Sequence, residues 1–366
     1  MKSIIFLVLI FLSFNVLHAQ DTLRNYPVRG FCIAAPRTAE VDRFVKFIRE
    51  ELVPARVNTL ILRVDYNFQY KSRPELAEPG GLSLADVKKI VLACKEGSIS
   101  VIPQINLLGH QSWAGTTNNL LRKYPQFDET PHVKMPAEYK WPNADSLYCK
   151  SYCPLHPDVH GIVFPMVDEI CEAFESTAFH AGLDEVFYIG DDKCPRCKGK
   201  DKAVLFAGEV RRIRDHLAGS NRKLWMWGDR LLDGYTTGIG MWEASTNGTH
   251  PAIDLIPRDV VICDWHYERA DKSAVYFAMK GLDVLTCPWR NPALAIKQSQ
   301  DMQDFREEST AKTRSHLRGI VQTVWSSAGQ FLDGYYQDKK DDKGGDQTPW
   351  HCFRALAATW KGDNKN

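Results

Sequence analysis

Apolar residues along this chain gather into eight short runs separated by helical stripes. The runs are Phe31–Ala35, Asn58–Val64, Ser100–Asn106, Phe179–Leu183, Lys223–Trp227, Val260–Trp265, Asp283–Cys287 and Gly319–Trp325. Most are near-continuously apolar rather than alternating, the pattern of strands covered on both faces in a parallel sheet. Between them, Leu84, Val87, Ile90, Val91 and Cys94 recur at steps of three and four, and Gly97 follows as a helix stop. Val167, Ile170, Cys171 and Phe174 mark a second stripe; Leu205, Val210, Ile213 and Leu217, closed by Gly219, mark a third. Strand and helix alternating eight times predict a (β/α)8 TIM barrel, an α/β fold, rather than a doubly wound sheet, whose strand count is usually lower. No linker, repeat or low-complexity tract divides residues 20–366, which read as one domain, and the charged run Lys339–Lys343 reads as a solvated loop.

The first residues follow a different pattern. Lys2 precedes an apolar run from Ile4 to Leu12, too short to span a bilayer, and a more polar stretch ends at Leu17-His18-Ala19-Gln20. Residues 1–19 are therefore expected to be a signal peptide, with the mature chain exported to a periplasmic or extracellular space. No later segment is apolar enough to insert into a membrane. Lys and Arg number 46 against 45 Asp and Glu, and removal of Lys2 leaves a neutral chain, which argues against nucleic acid as the partner. Ten Trp and 13 Tyr exceed what a core needs, and amphipathic rings favour half-wet clefts.

Six of the ten cysteines (Cys32, Cys94, Cys171, Cys263, Cys287, Cys352) lie in apolar or helix-like stretches and read as buried thiols. The other four, Cys149-x3-Cys153 and Cys194-Pro-Arg-Cys197, lie in loop-like sequence. Two disulfides, one bridged pair of loops or a four-thiolate zinc site all suit that spacing, and an oxidising compartment favours bridges.

In a barrel of this kind, function sits just after the carboxyl ends of the strands. Those positions hold Pro36-Arg37, Asp65-Tyr66, Asn106 with Gly109-His110, Asp184-Glu185, Trp227 with Asp229, Trp265-His266-Tyr267, Trp289-Arg290 and Trp325-Ser326-Ser327. Indoles, adjacent acids, an arginine and a histidine thus converge on one rim. A sugar, with apolar C–H faces and hydroxyl edges, is what such a rim suits. Neighbours in a regular strand point to opposite faces, so Asp184 and Glu185 can serve one site only where the strand ends and turns.

With these residues in place, the chain resembles glycoside hydrolase family 20, the β-N-acetylhexosaminidases, whose fourth strand carries His-x-Gly-Gly-Asp-Glu. His180-Ala-Gly-Leu-Asp-Glu185 matches all but one position. Arg29-Gly30 through Pro36-Arg37 is similar to the family's first strand, Val57-Asn58-Thr59-Leu60 to its second, and Val101 through His110, followed by Tyr124-Pro125, to its third. Cys153-Pro154 through Phe174, and then Cys194-Pro-Arg-Cys197, resemble the runs on either side of the acid pair.

The resemblance implies a glycosidase that removes terminal β-linked GlcNAc or GalNAc from a glycan by a retaining, substrate-assisted route, without an enzyme nucleophile and with neither metal nor organic cofactor. Asp184 would stay ionised and hold the substrate's acetamido N–H; Glu185 would be the acid and then the base. Trp227, Trp265 and Trp325 would wall the sugar pocket, Arg37 would reach ring hydroxyls, and Asn106, His110 and Asp229 would complete the substrate-binding set. Leu183 replaces the second glycine of the motif and adds bulk beside the acids; Asn106 replaces an acid on the third strand; Arg63, Tyr66 and Asn67 stand at the second strand's His and paired Asp positions, with Asp65 as a partial substitute; Ser327 replaces a hydroxyl-binding glutamate. These departures open two other readings: endo action or another 2-acetamido sugar, and a non-catalytic glycan-binding barrel. The Asp128–Ser151 connection, with Tyr139, Trp141 and Tyr148, is long enough to cover the cleft.

Overall fold

The computed structural model describes residues 27–361; the export segment read in residues 1–19 lies outside the described residues. Eight strands form the barrel: β1 Val28–Ala34, β2 Thr59–Arg63, β3 Ser100–Leu107, β4 Ala178–Gly182, β5 Lys223–Trp227, β6 Val261–Trp265, β7 Asp283–Cys287 and β8 Leu317–Thr323. All neighbours are parallel, and β1 closes the sheet by pairing with both β2 and β8. The expected spans of β5 and β7 are reproduced to the residue, whereas β8 starts two residues earlier than its apolar run and leaves Trp325 just beyond its end.

The continuous apolarity of the strands has a direct cause. Phe31, Leu60, Phe179, Met226 and Ile262 point outward into the layer beneath the helices, while their neighbours Cys32, Ile61, Ala178, Trp227 and Cys263 fill the barrel interior. Both faces are dry, so apolar residues dominate each, with the few polar exceptions such as Gln104, His180 and Gln322 buried among them. The six cysteines read as buried thiols are buried, as are the other four, and no disulfide occurs among the described residues.

Helices α1 Val41–Phe47, α2 Leu84–Glu96, α3 Val159–Ala173 and α4 Lys202–Ala218 follow β1 to β4 in turn. Helices α5 Ser273–Met279 and α6 Pro292–Glu308 follow β6 and β7, and α7 Ala328–Gln337 and α8 Pro349–Lys361 follow β8. The stripe of Leu84 to Cys94 is α2, capped by the reciprocal Ser83 and Asp86 pair. The alternation expected from sequence fails once. Between β5 and β6 the chain makes only short turns, Asp229–Leu231, Gly234–Thr237 and His250–Asp254, because Gly238 (φ 70°) stops the second after four residues. No helix among the described residues is long and apolar enough to cross a membrane.

What ties this irregular connection to the barrel is His266, just after β6. Its Nδ1 lies 2.9 Å from Glu243 and its Nε2 3.1 Å from Asp264 and 2.7 Å from Ser273. Burial opposes the charged imidazole, but the Asp264 and Glu243 carboxylates and their hydrogen bonds win, and its pKa is pushed up to about 10. Asp271, 3.7 Å away, adds to the same field. A histidine with a raised folded-state value stabilises fully below its ordinary value and loses that contribution as pH rises through the raised one. His266→Gln is therefore expected to cost roughly 3 kcal/mol at pH 6, the scale for breaking a buried ion pair. The gap to wild type should narrow as pH climbs through about 10, as thermal or urea unfolding across that range will show.

Candidate active site

The acid pair sits where β4 stops being a strand. Gly182 (φ 69°), Leu183 (φ 68°) and Glu185 (φ 48°) all adopt left-handed backbone, which breaks the alternation of a strand and brings two successive carboxylates to one place. Gly182 is obligatory, since a side chain there would run into Asn106 Oδ1 on β3. Leu183 takes the same backbone region at a steric cost of about 1 to 2 kcal/mol. Its side chain is buried in the outer apolar layer. The bulk expected beside the acids is thus directed away from them, and the departure from the glycine motif costs backbone strain rather than cleft volume.

Four contacts hold the turn. The Glu185 backbone N–H donates to Asp229 Oδ2 (2.9 Å), the Trp265 Nε1–H donates to Asp229 Oδ1 (3.2 Å), and Arg230 Nε donates to the Asp229 carboxylate (2.6 Å). Asp229 and Arg230 are both fully buried. Cys149 supplies the fourth, its Sγ donating to the Glu185 carbonyl at 3.4 Å. Asp229, expected from sequence to bind substrate, is a positioning residue: both of its oxygens are engaged by the protein.

His110, in left-handed backbone (φ 52°) after β3, places its Nε2 3.2 Å from Asp184 Oδ2 and 3.1 Å from Glu185 Oε2. Burial works against its charge, but the adjacent Asp184 carboxylate, with Glu185 beside it, raises its pKa well above the ordinary range. For Asp184, burial raises the pKa, yet the His110 charge and hydrogen bond outweigh it and hold the carboxyl below its usual value. For Glu185, burial dominates, the negative charges of Asp184 and Asp229 add to it, and its pKa is raised despite His110. The environments of the two neighbours thus push their pKa values apart, Asp184 down and Glu185 up, the separation that acid–base chemistry requires.

Three rings form the floor. Trp227 is fully buried, 4.5 Å from the His180 ring and 5.6 Å from Trp325. Trp325 Nε1 donates to Tyr267 Oη (2.7 Å), and the Tyr267 ring lies 5.0 Å from Trp265 and 5.3 Å from Trp289. Asn106 faces the same bowl from β3, its N–H donating to Asp65 Oδ1 (2.8 Å). Four buried polar atoms here have no hydrogen-bond partner: Asp184 Oδ1, Trp227 Nε1, His180 Nε2 and His110 Nε2, which is close to both acids but poorly aimed at either. Unpaired buried groups are costly, and a ligand that satisfies them recovers that cost.

Beside the acids stands a second group of rings. Tyr148 packs 4.7 Å from Trp242, 5.7 Å from Phe187 and 5.1 Å from Trp113, and Trp141 packs 5.3 Å from Trp242. The connection expected to cover the cleft does bring Trp141 and Tyr148 there. Trp113 and Phe187 escaped the sequence reading, although Phe187 lies only two residues beyond Glu185. Tyr267 was visible next to Trp265, but its role as the tie between indoles depends on β8 being adjacent in space.

Arg37 is the predicted site residue that is not brought together with the others. Its guanidinium is 2.5 Å from Glu78 and 3.2 Å from Asn67 Oδ1, and its side chain is 55% exposed. Cys149 is likewise separate from the other three loop cysteines; it lies under Glu185, so the four do not form one site.

Gly109 lets the third strand's loop approach the acids. A Cβ there would lie 2.8 Å from the Asp184 carbonyl oxygen and 3.0 Å from Val186 Cγ2. Gly109→Ala is expected to push the acid turn aside and lower kcat by roughly 100-fold, the usual penalty for an ångström of misplacement, while circular dichroism stays that of the folded barrel.

The catalytic-domain model of glycosyl hydrolase family 20 matches residues 64–353. A beta-hexosaminidase of Vibrio furnissii is 24% identical over 220 residues, covering 58% of this chain and 31% of that protein. One of Akkermansia muciniphila is 29% identical over 256 residues, covering 66% and 47%. The chain thus spans less than half the length of these curated relatives. Among solved structures, the beta-N-acetylhexosaminidase from Bacteroides fragilis NCTC 9343 superposes with TM-score 0.60 at 18% identity, over 91% of this chain and 66% of that one. Dispersin B superposes with TM-score 0.51 at 15% identity, over 92% and 98%. At such identities the superpositions speak for the shared barrel.

Proposed function

The chain belongs to glycosyl hydrolase family 20, and from that membership we propose that it hydrolyses terminal β-linked N-acetylhexosamine from glycans, with retention and with the substrate's own acetamide as nucleophile. The observation that carries the reading is the buried, unpartnered Asp184 Oδ1 next to a carboxyl whose pKa is raised. A 2-acetamido N–H is the donor that Oδ1 lacks.

In the first step Asp184 accepts that N–H and draws electron density toward the acetamide oxygen. The oxygen attacks the anomeric carbon, the glycosidic C–O bond breaks, and Glu185 gives its proton to the leaving oxygen. Asp184 then faces a cationic oxazolinium, which its fixed negative charge stabilises without reorganisation. In the second step Glu185, now ionised, takes a proton from water as that water opens the ring at the anomeric carbon. Two inversions give retention. Trp227, Trp265 and Trp325 exclude water around the acetamide, and the His110 ring beside Asp184 favours its ionised form. With Arg37 engaged by Glu78, contact with the sugar's outer hydroxyls is the part of recognition this site does not preassemble. The signal segment in residues 1–19 would place the reaction outside the cytoplasm; an N-terminus at Gln20 in secreted protein checks that.

Aryl β-GlcNAc and aryl β-GalNAc are expected to be cleaved and the plain aryl β-glucoside to be inert, since the glucoside lacks the internal nucleophile. Preferential cleavage of the glucoside would exclude substrate assistance. Glu185→Gln should lower kcat by about 10²- to 10⁴-fold on substrates with poor leaving groups, and Asp184→Asn by about 10²- to 10³-fold on all of them.

The pH profile of kcat/KM follows from the two shifts. Activity should fall on the alkaline side as Glu185, with its raised pKa, loses the proton it must donate. It should fall on the acid side only below the ordinary carboxyl range, where Asp184 takes up a proton. Glu185→Gln should erase the alkaline limb and keep the acid one; a profile unchanged in that variant would remove Glu185 from the acid role.

A further inference from the structure

The segments that follow β3 and β4 meet at a cluster of three sulfurs and one carboxylate away from the acid pair. Cys153 Sγ is 3.6 Å from Cys194 Sγ and 3.4 Å from Cys197 Sγ. A Glu129 oxygen joins them, and the four ligand atoms all lie within 4.8 Å of one another. All four residues are buried, Glu129, Cys153 and Cys197 with no exposed surface.

This is the shape of a tetrahedral site rather than of a disulfide. With metal–sulfur bonds near 2.3 Å, the sulfur–sulfur edges of a zinc tetrahedron are about 3.8 Å. A disulfide would draw one pair to about 2.05 Å and leave the third thiol and a buried carboxylate beside it. Glu129 supplies the independent observation. Its Oε1 accepts the Asp191 N–H at 3.0 Å, whereas its Oε2, wholly buried, has no hydrogen-bond partner. Burial raises the Glu129 pKa to about 7, so its unpaired oxygen takes either a proton or a cation, and three sulfurs within reach supply the rest of a cation's coordination shell. The surrounding structure orients the ligands as metal sites require: Arg196 Nε donates to Cys153 Sγ at 3.3 Å, and the Cys194-Pro-Arg-Cys197 turn is closed by Cys194 N–H to the Asp191 carbonyl at 3.0 Å and Lys198 N–H to the Cys194 carbonyl at 3.0 Å.

We propose that Glu129, Cys153, Cys194 and Cys197 bind one zinc ion, with Cys149 excluded. The thiol protons leave to solvent as the ion binds, and all four tetrahedral positions are filled by protein, so the ion is structural. Its position gives it a task. Glu129 and Cys153 bracket the connection that carries Trp141, Tyr148 and Cys149, and Cys194 follows Glu185 by nine residues. The ion therefore joins the aromatic wall to the strand end that bears the acids. The proposal stands or falls independently of the sugar chemistry.

The test uses the full chain, purified under reducing conditions and freed of loosely held metal. Elemental analysis is expected to give one zinc per chain. Replacing zinc by cobalt should produce the near-ultraviolet thiolate charge-transfer band and the visible absorption of a tetrahedral ion. Cys149→Ser should keep the full stoichiometry. Cys197→Ser should lose it, and Glu129→Gln, which leaves every thiol in place and guards against a misfolded cysteine variant, should weaken zinc binding roughly tenfold or more. Chelation should lower the wild-type melting temperature and added zinc restore it. Reduced, folded protein that takes up neither zinc nor cobalt would overturn the proposal. So would a disulfide among Cys153, Cys194 and Cys197 found by peptide mass spectrometry of protein never exposed to oxidant, or equal loss of metal in Cys149→Ser.

Discussion

The constraint on which the site depends is the left-handed turn at the end of β4. A strand delivers its side chains alternately to the barrel interior and to the helix layer, so it cannot by itself aim two consecutive carboxylates at one point. Reversing φ at Gly182, Leu183 and Glu185 does so. Two of those three residues carry a Cβ, at a combined cost of about 2 to 4 kcal/mol, a sizeable share of the net stability of any domain. The surroundings offset it locally. Leu183 is buried in the outer core, and the Glu185 amide is captured by a carboxylate that is itself neutralised by Arg230. Strained backbone persists only where such neighbours over-determine it.

The same geometry sets the electrostatics. Two carboxyl groups this close and this buried cannot both ionise cheaply. His110 resolves the conflict by lying against both and favouring the one that burial penalises less after pairing. The outcome is a His110 with a raised pKa between an acid whose pKa is lowered and one whose pKa is raised. It also explains why Gly109 precedes His110: the imidazole can reach between the acids only if the loop carrying it runs against the Asp184 backbone.

Most of the barrel was legible in the sequence because the signal there is a bulk one. Strands buried on both faces are apolar at most positions, and the apolar runs of β5 and β7 mark them to the residue. The β5–β6 connection departs from the general alternation because its glycines act through backbone torsions, which hydrophobic periodicity does not register. The site was legible as a set of strand ends: Asp184, Glu185, His110, Trp227, Trp265 and Trp325 do converge. The partnerships were not. That Asp229 serves Glu185 instead of a ligand, or that Cys149 leaves the other cysteines to lie beneath Glu185, depends on which loops fold back over which strands. No spacing along the chain encodes that.

The floor of the bowl and the outlying Arg37 differ in how firmly they are held, and this bears on selectivity. The floor is preorganised: Trp265 is fixed through Asp229, Trp325 through Tyr267, and Trp227 by close packing against His180 and Trp325. Rings held in this way lose little freedom when a ligand arrives. Arg37, apart from the bowl, is different. Its pair with Glu78 is half-exposed (55% and 36%), and such pairs contribute at most about 1 kcal/mol. That guanidinium is therefore free to exchange Glu78 for another acceptor at small cost. Under the proposed function, the part of the sugar that meets the preassembled floor is its 2-acetamido group, and selectivity is expected to be sharpest there.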